Sequence, residues 1–254
     1  AITVSNLLTV TDGIFVSAAS DFAGVTIGSN GTLELSGNIT VSGDWSGGGT
    51  LTPGTNTVTF DGSGAQSITS GGSVFYNLTN SNTSNTLSIA DKLEINSSGT
   101  LTIDASATLA LAGYEFDDNG CTISNSGTFQ MHGDETLTSG SLSISSGNTK
   151  IMDASGATLT SSLTALNNVE FNSNGNTFTL SEDMNFISGS VTIASGTTLD
   201  VSGSNFAITA DGFTNNGTFN GRSNTVTFDG GTISGIITFN NVELNGAVDF
   251  GSSS

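Results

Sequence analysis

The chain has 254 residues, of which only 10% are charged, and 22 acidic residues against three basic ones give it a formal net charge of −19 at pH 7. This charge would repel nucleic-acid phosphates and anionic lipid surfaces, so nucleic-acid binding is excluded as a function. Gly, Ser, Thr and Asn make up more than half of the residues, but the low charge and the regularly spaced apolar residues argue against disorder.

The start of the sequence has no recognisable targeting signal. The chain starts at Ala1, without an initiator Met or a basic-then-apolar leader, which indicates a processed product or a piece of a longer protein. No apolar run reaches the roughly 18 residues that a membrane-spanning helix requires. Six Asn-x-Ser/Thr sequons permit glycosylation, at Asn30, Asn38, Asn77, Asn82, Asn96 and Asn216.

Short segments that alternate apolar and polar residues follow one another along the whole chain. In order they include "LEL", "ITV", "TVTF", "LSI", "LTI", "VTI" and "LDV", and Gly, Asn, Asp or Ser bounds almost every one. No segment sustains the spacing of an amphipathic helix, since the nearest candidate, residues 161–171, is interrupted by Asn167 and Asn168. The sequence therefore predicts an all-β protein.

A larger pattern repeats these segments. The heptapeptide "NTVTFDG" occurs at 56–62 and again at 224–230, and a looser copy, "NTKIMDASG", begins at Asn148. A second element follows each copy, and a degenerate relative precedes the first. These elements are "FYNLTN" from Phe75, "LNNVEF" from Leu166, "FNNVEL" from Phe239 and, as the relative, "FAGVTI" from Phe22.

The spacing of the repeats predicts a single parallel β-solenoid over residues 1–254. It would consist of a partial repeat unit, 1–55, and the repeat units 56–147, 148–223 and 224–254. Units of uneven length suit a solenoid, which tolerates added or deleted coils, better than sandwich domains of about 100 residues. "GTL"-like elements lie 18 to 28 residues apart within the units, a suitable coil length for a β-helix with short strands and Gly- or Asn-rich corners, which we expect to be right-handed.

The repeats also predict which side chains face the core. Phe60, Met152 and Phe228 should point inward, and the Asp that follows each of them (Asp61, Asp153 and Asp229) should point outward. Most of the 15 Phe residues should stack in the core. The inward positions expected for them are those of Phe60, Phe171, Phe178, Phe219, Phe228 and Phe239.

The sequence "NTVTFDGSGAQSITSGGSVFYNLT", followed by "LEINSSGTLTIDASATLALAG", resembles the repeats of very large bacterial and archaeal surface proteins. These are similar to secreted adhesins of the filamentous-haemagglutinin type, with their parallel β-helix. The resemblance implies an extracellular or cell-surface, rod-like structural or adhesive role, with a surface glycan or receptor as a possible partner. It carries no catalytic residues.

One catalytic pattern competes with this interpretation. Asp117, Asp118, His132 and Asp134 lie in a 22-residue window and resemble the paired acids and His-Gly of polygalacturonases. No Arg-x-Lys follows them, however, and the nearest cations, Lys92 and Lys150, are far from the acidic pair along the chain. We therefore expect a solvated acidic corner and a protein that is not an enzyme, with a polysaccharide-degrading enzyme or a carbohydrate-binding module as alternatives.

Metal and thiol chemistry have weaker signals. Asp61, Asp153 and Asp229 recur at equivalent places, but no calcium-binding loop surrounds them, and no metal or cofactor is predicted. Cys121 is the only cysteine, so no intrachain disulfide forms, and a buried apolar role on a strand is expected.

Apolar residues reach both edges of the predicted solenoid, and no Lys or amphipathic segment guards either edge. Strands near Phe15 or Val16 are expected to pair with strands near 239–248 of another copy, or with flanking repeats of a longer chain. The predicted function is thus a structural segment of an adhesin, sheath or filament that acts as a stiff, self-associating rod.

Overall fold

The architecture comes from a computed structural model of the chain. It describes residues 2–133, 135, 143–151, 158–159, 165–180, 184–185, 189–201, 208–221 and 225–251. These residues form strands, turns and bends and contain no helix, as the alternating sequence pattern predicts. In particular, the described residues include no helix long and apolar enough to cross a membrane.

The chain divides into two compact modules. Module 1 comprises Ala1–Phe129 and Glu135–Ser139, and module 2 comprises Gln130–Asp134 and Gly140–Ser254. In both, every recorded strand pairing is parallel and joins one coil to the next. Each module is therefore a β-solenoid, and the described strands form about ten turns in all.

Module 1 contains thirteen described strands, most of them three to five residues long. They are β1 (Ile2–Ser17), β2 (Ser20–Leu35), β3 (Ile39–Val41), β4 (Trp45–Gly47), β5 (Thr50–Thr52), β6 (Thr57–Phe60), β7 (Gln66–Thr69), β8 (Val74–Asn80), β9 (Thr86–Ile89), β10 (Leu93–Ile103), β11 (Thr108–Ala110), β12 (Phe116–Asp117) and β13 (Thr122–Asn125). The next strand, β14 (Thr128–Met131), contains residues of both modules.

The strands of module 1 form three stacks. In the first stack, β3 pairs with β6 and β6 pairs with the end of β8. The end of β8 pairs in turn with the end of β10. In the second, β4, β7, β9 and β11 follow one another. The third stack has two separate parts. In one, the end of β2 pairs with β5; in the other, the start of β10 pairs with the start of β8 and with β12.

The third stack is interrupted. β5 pairs with β2 on one side, and the first residues of β8, Val74 and Phe75, pair with Glu94 and Ile95 of β10 on the other. Within the described chain no strand pairing joins β5 to Val74 or Phe75. An open groove consequently lies between β5 and the start of β8.

Module 2 repeats the pattern with shorter strands. They are β15 (Ser143–Ile144), β16 (Asn148–Ile151), β17 (Thr158–Leu159), β18 (Ala165–Leu166), β19 (Val169–Phe171), β20 (Thr177–Leu180), β21 (Met184–Asn185), β22 (Ser190–Ile193), β23 (Thr198–Asp200), β24 (Ile208–Ala210), β25 (Gly212–Asn215), β26 (Thr218–Asn220), β27 (Thr225–Phe228), β28 (Gly231–Gly235), β29 (Asn241–Leu244) and β30 (Val248–Phe250). One stack runs β16–β19–β22–β25–β28–β30, a second β17–β20–β23–β26 and a third β21–β24–β27–β29.

The coil length is close to the sequence prediction. The length of a coil is the number of residues between two paired positions on neighbouring strands. Among the described pairs, the shortest coil runs from Thr225 to Asn241 and the longest from Met184 to Ile208. A parallel solenoid built from coils of this size is what the spacing of "GTL" elements favours. The handedness and the boundaries of the repeat units stay predictions.

Alternation along each strand fills the core. In β6, Val58 and Phe60 are buried while Thr57 and Thr59 are half-buried on the outer face, as a period of two requires. Trp45 and Phe75 are fully buried, with ring centroids 5.2 Å apart in an edge arrangement. The core of module 1 is thus a column of aliphatic side chains with aromatic rings packed among them.

Aromatic stacking is denser in module 2. The Phe213 ring centroid lies 5.2 Å from that of Phe219 and 6.2 Å from that of Phe228. Phe239, which is half-buried, packs against all three rings. The inward positions predicted for Phe60, Phe171, Phe178, Phe219 and Phe228 are confirmed, since all five are buried.

The registration prediction is confirmed in the first and last copies, whereas its two residues in the middle copy lie outside the described part of the chain. Phe60 and Phe228 are fully buried, and Asp61 and Asp229 are exposed. Met152 and Asp153 lie outside the described residues. In that copy Ile151 is fully buried and pairs with Phe171, as Phe60 pairs with Asn80, so Ile151 takes the register position of Phe60.

Polar side chains stabilise one corner of the coil in module 1. The Gln66 amide nitrogen donates to the carbonyls of Val41 (2.9 Å) and Gly43 (2.7 Å), and its oxygen accepts from the Gly62 amide (2.9 Å). The same oxygen accepts from the side-chain amide of Asn82 (3.0 Å), one coil further on. Both side chains are buried, so this network takes the place of water at the corner.

Candidate functional site

The acidic pair singled out by the sequence, Asp117 and Asp118, lies in the third stack of module 1. Asp117 ends β12 and is placed beside Glu94 by the pairing of β12 with β10. Lys92, immediately before β10, has its Nζ atom 3.2 Å from Asp117, 3.1 Å from Glu115 and 3.7 Å from Glu94. One ammonium group is therefore shared by three carboxylates on two neighbouring coils.

This arrangement corrects the sequence-based view of Lys92. Its distance from Asp117 along the chain suggested that no cation is near the acidic pair. The two residues are separated by about one coil of the solenoid, so their side chains are neighbours in space. The hydrogen bonds to Glu115 and Asp117 raise the pKa of Lys92, which keeps its ammonium group charged.

Both members of the acidic pair are engaged locally. Asp117 accepts from Lys92 with one carboxylate oxygen and from the Asn119 amide with the other, at 3.1 Å. Asp118 accepts from the Gly120 amide at 3.4 Å, and its pKa is raised, first by burial and further by the charge of Asp117. Only 7% of Asp117 and 6% of Asp118 is accessible to solvent.

Chemically, the pair offers one carboxylate that is bonded to a cation and one that protonates more readily. Acid–base cleavage of a glycoside requires two carboxyl groups on either side of a bound sugar. Adjacent residues with so little exposure do not flank an open cleft, and the Lys92 ammonium occupies one face of Asp117. Of the other two residues in the predicted window, His132 is half-buried and Asp134 lies outside the described residues.

Cys121 is half-buried close to the same corner. Burial and the charge of Asp118 raise its pKa to about 11, from an ordinary 9.0. At neutral pH the side chain is therefore the thiol, which is a poor nucleophile and a poor metal ligand. The expectation of a buried side chain on a strand is wrong, however, because Cys121 is half-buried and immediately precedes β13.

Two of the recurring aspartates, Asp61 and Asp229, are described, and neither belongs to a group of metal-ligating side chains within the described residues. Asp61 and Asp229 are exposed, and Asp229 accepts from the Asn245 side chain at 3.4 Å. Asp153 lies outside the described residues. The part of the chain that the structure describes contains no group of three His, Cys, Asp or Glu side chains that could hold a metal ion.

Two apolar surfaces stand out at the edges of the modules. The first, the β1 edge, consists of Leu7, Ile14, Phe15 and Val16, which are between 38% and 70% exposed. Its strand pairs with β2 on one side, and among the described residues nothing pairs with the other side. Backbone N–H and C=O groups and apolar side chains are thus presented together, with Phe15 stacked on the buried Leu33, and Ile14 and Val16 on the outward-facing Thr32 and Glu34.

The second, the β29–β30 edge, belongs to module 2. It consists of Ile236, Val242, Leu244 and Phe250, which are between 42% and 86% exposed. β29 pairs with β27 and β30 with β28, and no described strand lies on the outer side of either. In inner coils the equivalent positions are buried, as Val226 and Phe228 show.

Sequence reasoning identified these edges from the apolar segments near Phe15 and 239–248, but it missed two features. The proximity of Lys92 to Asp117 could have been anticipated from the coil length that the spacing of the repeats implies. The groove beside β5 left no repeat signal, because it results from a missing pairing rather than from a motif.

Comparison with known proteins gives no match, since no family model, no curated protein and no solved structure is significantly similar to the chain.

Proposed function

We propose that this protein is a structural segment of an extracellular adhesin, sheath or filament and acts as a stiff, self-associating rod. In this role, the β1 edge and the β29–β30 edge pair with further coils, supplied by another copy or by flanking repeats of a longer chain. The protein performs no chemistry itself. Its use is to hold other surfaces at a distance from the cell.

The exposed apolar edges carry this proposal. Apolar side chains exposed beside an unpaired strand edge favour addition of another strand, which would bury them and satisfy the backbone groups. The two edges differ in their residues, so a contact between them is heterologous, and repeating such a contact gives an open filament rather than a closed dimer.

The acidic corner supports a role without catalysis. Its carboxylates are nearly inaccessible and are bonded to Lys92 and to backbone amides. These contacts hold successive coils together, as a scaffold requires. The extracellular location is inferred from the resemblance to surface-protein repeats.

Sedimentation velocity over a range of protein concentrations tests the self-association. The wild-type chain should form oligomers that grow with concentration, because each added copy exposes a new edge. Replacing Ile14 and Val16 by Lys should keep the chain monomeric, whereas Tyr114→Lys, at an exposed position away from both edges, should leave association unchanged. A wild-type chain that stays monomeric at every concentration would refute self-association.

A separate experiment tests the absence of catalysis. The double variant Asp117→Asn, Asp118→Asn should have the same sedimentation behaviour as the wild type and differ in local stability alone. Reducing-sugar release from a panel of plant and microbial polysaccharides should be at the buffer level for both proteins. Glycan cleavage by the wild type that the double variant lacks would replace the structural proposal with an enzymatic one.

A further inference from the structure

The groove beside β5 is a defined feature of module 1. It has a volume of about 440 Å³, within the usual range of small-molecule sites. β5 and the turn after it form one wall, and the start of β8 with Asn96 of β10 forms the other. It opens where the third stack is interrupted, so the backbone of β5 is unpaired on the side that faces it.

Both walls are fixed by hydrogen bonds. The side-chain amide of Asn56 donates to the carbonyls of Leu35 (2.8 Å) and Pro53 (3.1 Å), which holds the turn after β5 against the coil below. On the other wall, the Asp91 carboxylate accepts from the amides of Ser70 (2.6 Å) and Gly71 (2.8 Å) and fixes the turn before β8. The groove is therefore preformed, which reduces the entropy cost of filling it.

A buried polar group without a partner lies in the wall. Ser73 is 6% exposed and lines the groove, and its hydroxyl makes no hydrogen bond within the described structure. Buried hydroxyls are normally bonded, so an unpartnered one in the wall of a groove suits a ligand or water that supplies the bond. Nearby, the amide nitrogen of Asn96 makes no hydrogen bond to any described residue, although its oxygen accepts from the Ser98 amide at 3.0 Å.

The other lining groups restrict the chemistry of a ligand. Tyr76 is half-buried and supplies an aromatic ring and a phenol, and the exposed Thr50 supplies a hydroxyl. The lining contains no Lys, Arg, His, Asp or Glu, so nothing there would balance a charged ligand. The net charge of −19 further disfavours anions.

We propose that this groove binds one or two residues of a neutral saccharide. Sugar hydroxyls both donate and accept, which matches a wall of hydroxyl, amide and unpaired backbone groups, and the C–H face of a sugar ring can lie on Tyr76. An added peptide strand fits less well, because β5 has three residues and is followed by Pro53, which lacks an N–H group. The proposed saccharide site does not depend on self-association through the β1 edge and the β29–β30 edge.

Saturation-transfer NMR with the 254-residue chain tests this site. The probes are methyl glycosides of glucose, galactose, mannose and N-acetylglucosamine, their tetrasaccharides, a uronic-acid tetrasaccharide and a neutral Ser/Thr tetrapeptide. At least one neutral saccharide should bind the wild type. Tyr76→Ala should weaken its binding about tenfold, and Thr50→Phe, which fills the groove, should abolish it.

Tyr114→Ala is the matched control, because it removes an exposed tyrosine from the same module outside the groove and should bind as the wild type does. The fluorescence of Trp45, the one tryptophan, shows whether each variant is folded. No binding of any neutral saccharide, wild-type affinity in Thr50→Phe, or preferential binding of the uronic acid or the tetrapeptide would each overturn the proposal. None of these results affects the sedimentation test of self-association.

Discussion

Replacing the buried Gln66 by Leu removes the polar centre of one coil corner while nearly preserving its volume. Four hydrogen bonds are lost: two that Gln66 donates, to Val41 and Gly43, and two that it accepts, from Gly62 and Asn82. What matters for stability is which partners keep another bond after the substitution.

Two of the four partners keep another hydrogen bond. The Val41 carbonyl still accepts from the Asp61 amide at 3.2 Å, and the Asn82 side chain keeps one of its two donated bonds, to the Gly64 carbonyl at 2.7 Å. The Gly62 amide and the Gly43 carbonyl lose the partner that Gln66 supplied. An unsatisfied buried polar group costs about 1–3 kcal/mol. With the buried Gly62 amide in that range and the half-buried Gly43 carbonyl at about its lower end, we expect Gln66→Leu to lower the free energy of unfolding by roughly 2–4 kcal/mol.

Urea denaturation followed by Trp45 fluorescence measures this effect. Trp45 is fully buried, belongs to the same module as Gln66 and is the single tryptophan, so its signal reports the unfolding of that module. With a slope of about 2 kcal/mol per molar urea, the midpoint should fall by about 1–2 M.

Ser67→Ala is the matched control. Ser67 follows Gln66 on β7, is half-buried on the outer face and bonds through its backbone amide, which donates to Asp44 at 2.8 Å. Its loss should change the free energy of unfolding by less than about 0.5 kcal/mol. If Gln66→Leu and Ser67→Ala have the same midpoint, the network does not stabilise the corner and the reasoning is refuted.

Three further predictions concern the acidic corner. Because the pKa of Asp118 is raised in the folded state, its stabilising contribution is present below its ordinary pKa of 3.8 and is lost as the pH rises through the folded value. In urea unfolding, Asp118→Asn should have the same free energy of unfolding as the wild type below pH 3.8 and a higher one at pH 7. A difference that is the same at both pH values would contradict this. With its pKa near 11, Cys121 forms fewer thiolates but more nucleophilic ones, so iodoacetamide should alkylate the folded chain about tenfold more slowly than the urea-unfolded chain at pH 8, and equal rates would contradict the burial. Lys92→Met should destabilise module 1 at low salt, and high salt should restore part of the lost stability. Lys150→Met loses a single contact of 3.9 Å to Glu170 and should lower stability less. Equal effects of the two substitutions would contradict the shared role of Lys92.

Much of the fold was predictable because period-two alternation and repeat spacing encode it directly. The segment "TVTF" at 57–60 specifies both a strand and its inward face, and the coil length follows from the distance between similar segments. Register in the middle copy was not predictable from the aligned motif. "NTKIM" matches "NTVTF" by letters, yet burying Thr149 and Ile151 keeps Lys150 outside, and avoiding a buried charge outweighs motif alignment.

The site was less predictable because it depends on which coils meet. The Lys92 contact follows from coil length, whereas the groove follows from a pairing that β5 fails to make with β8. Burial also separates the sequons, which look alike in sequence: Asn82 is fully buried in the Gln66 network, and Asn216 is exposed. These differences arise from tertiary packing, which no local pattern records.

The proposed contact between the β1 edge and the β29–β30 edge can be measured by directional cross-linking. In a Cys121→Ser background, one copy carries Val16→Cys and a second, differently tagged copy carries Val242→Cys, and a short bismaleimide joins thiols that lie close together. Head-to-tail association predicts cross-links between the two kinds of copy, few between copies of one kind, and none above background when Tyr114→Cys replaces either cysteine. Cross-links between identical copies at the same yield, or no cross-links at concentrations where the chain sediments as oligomers, would contradict it.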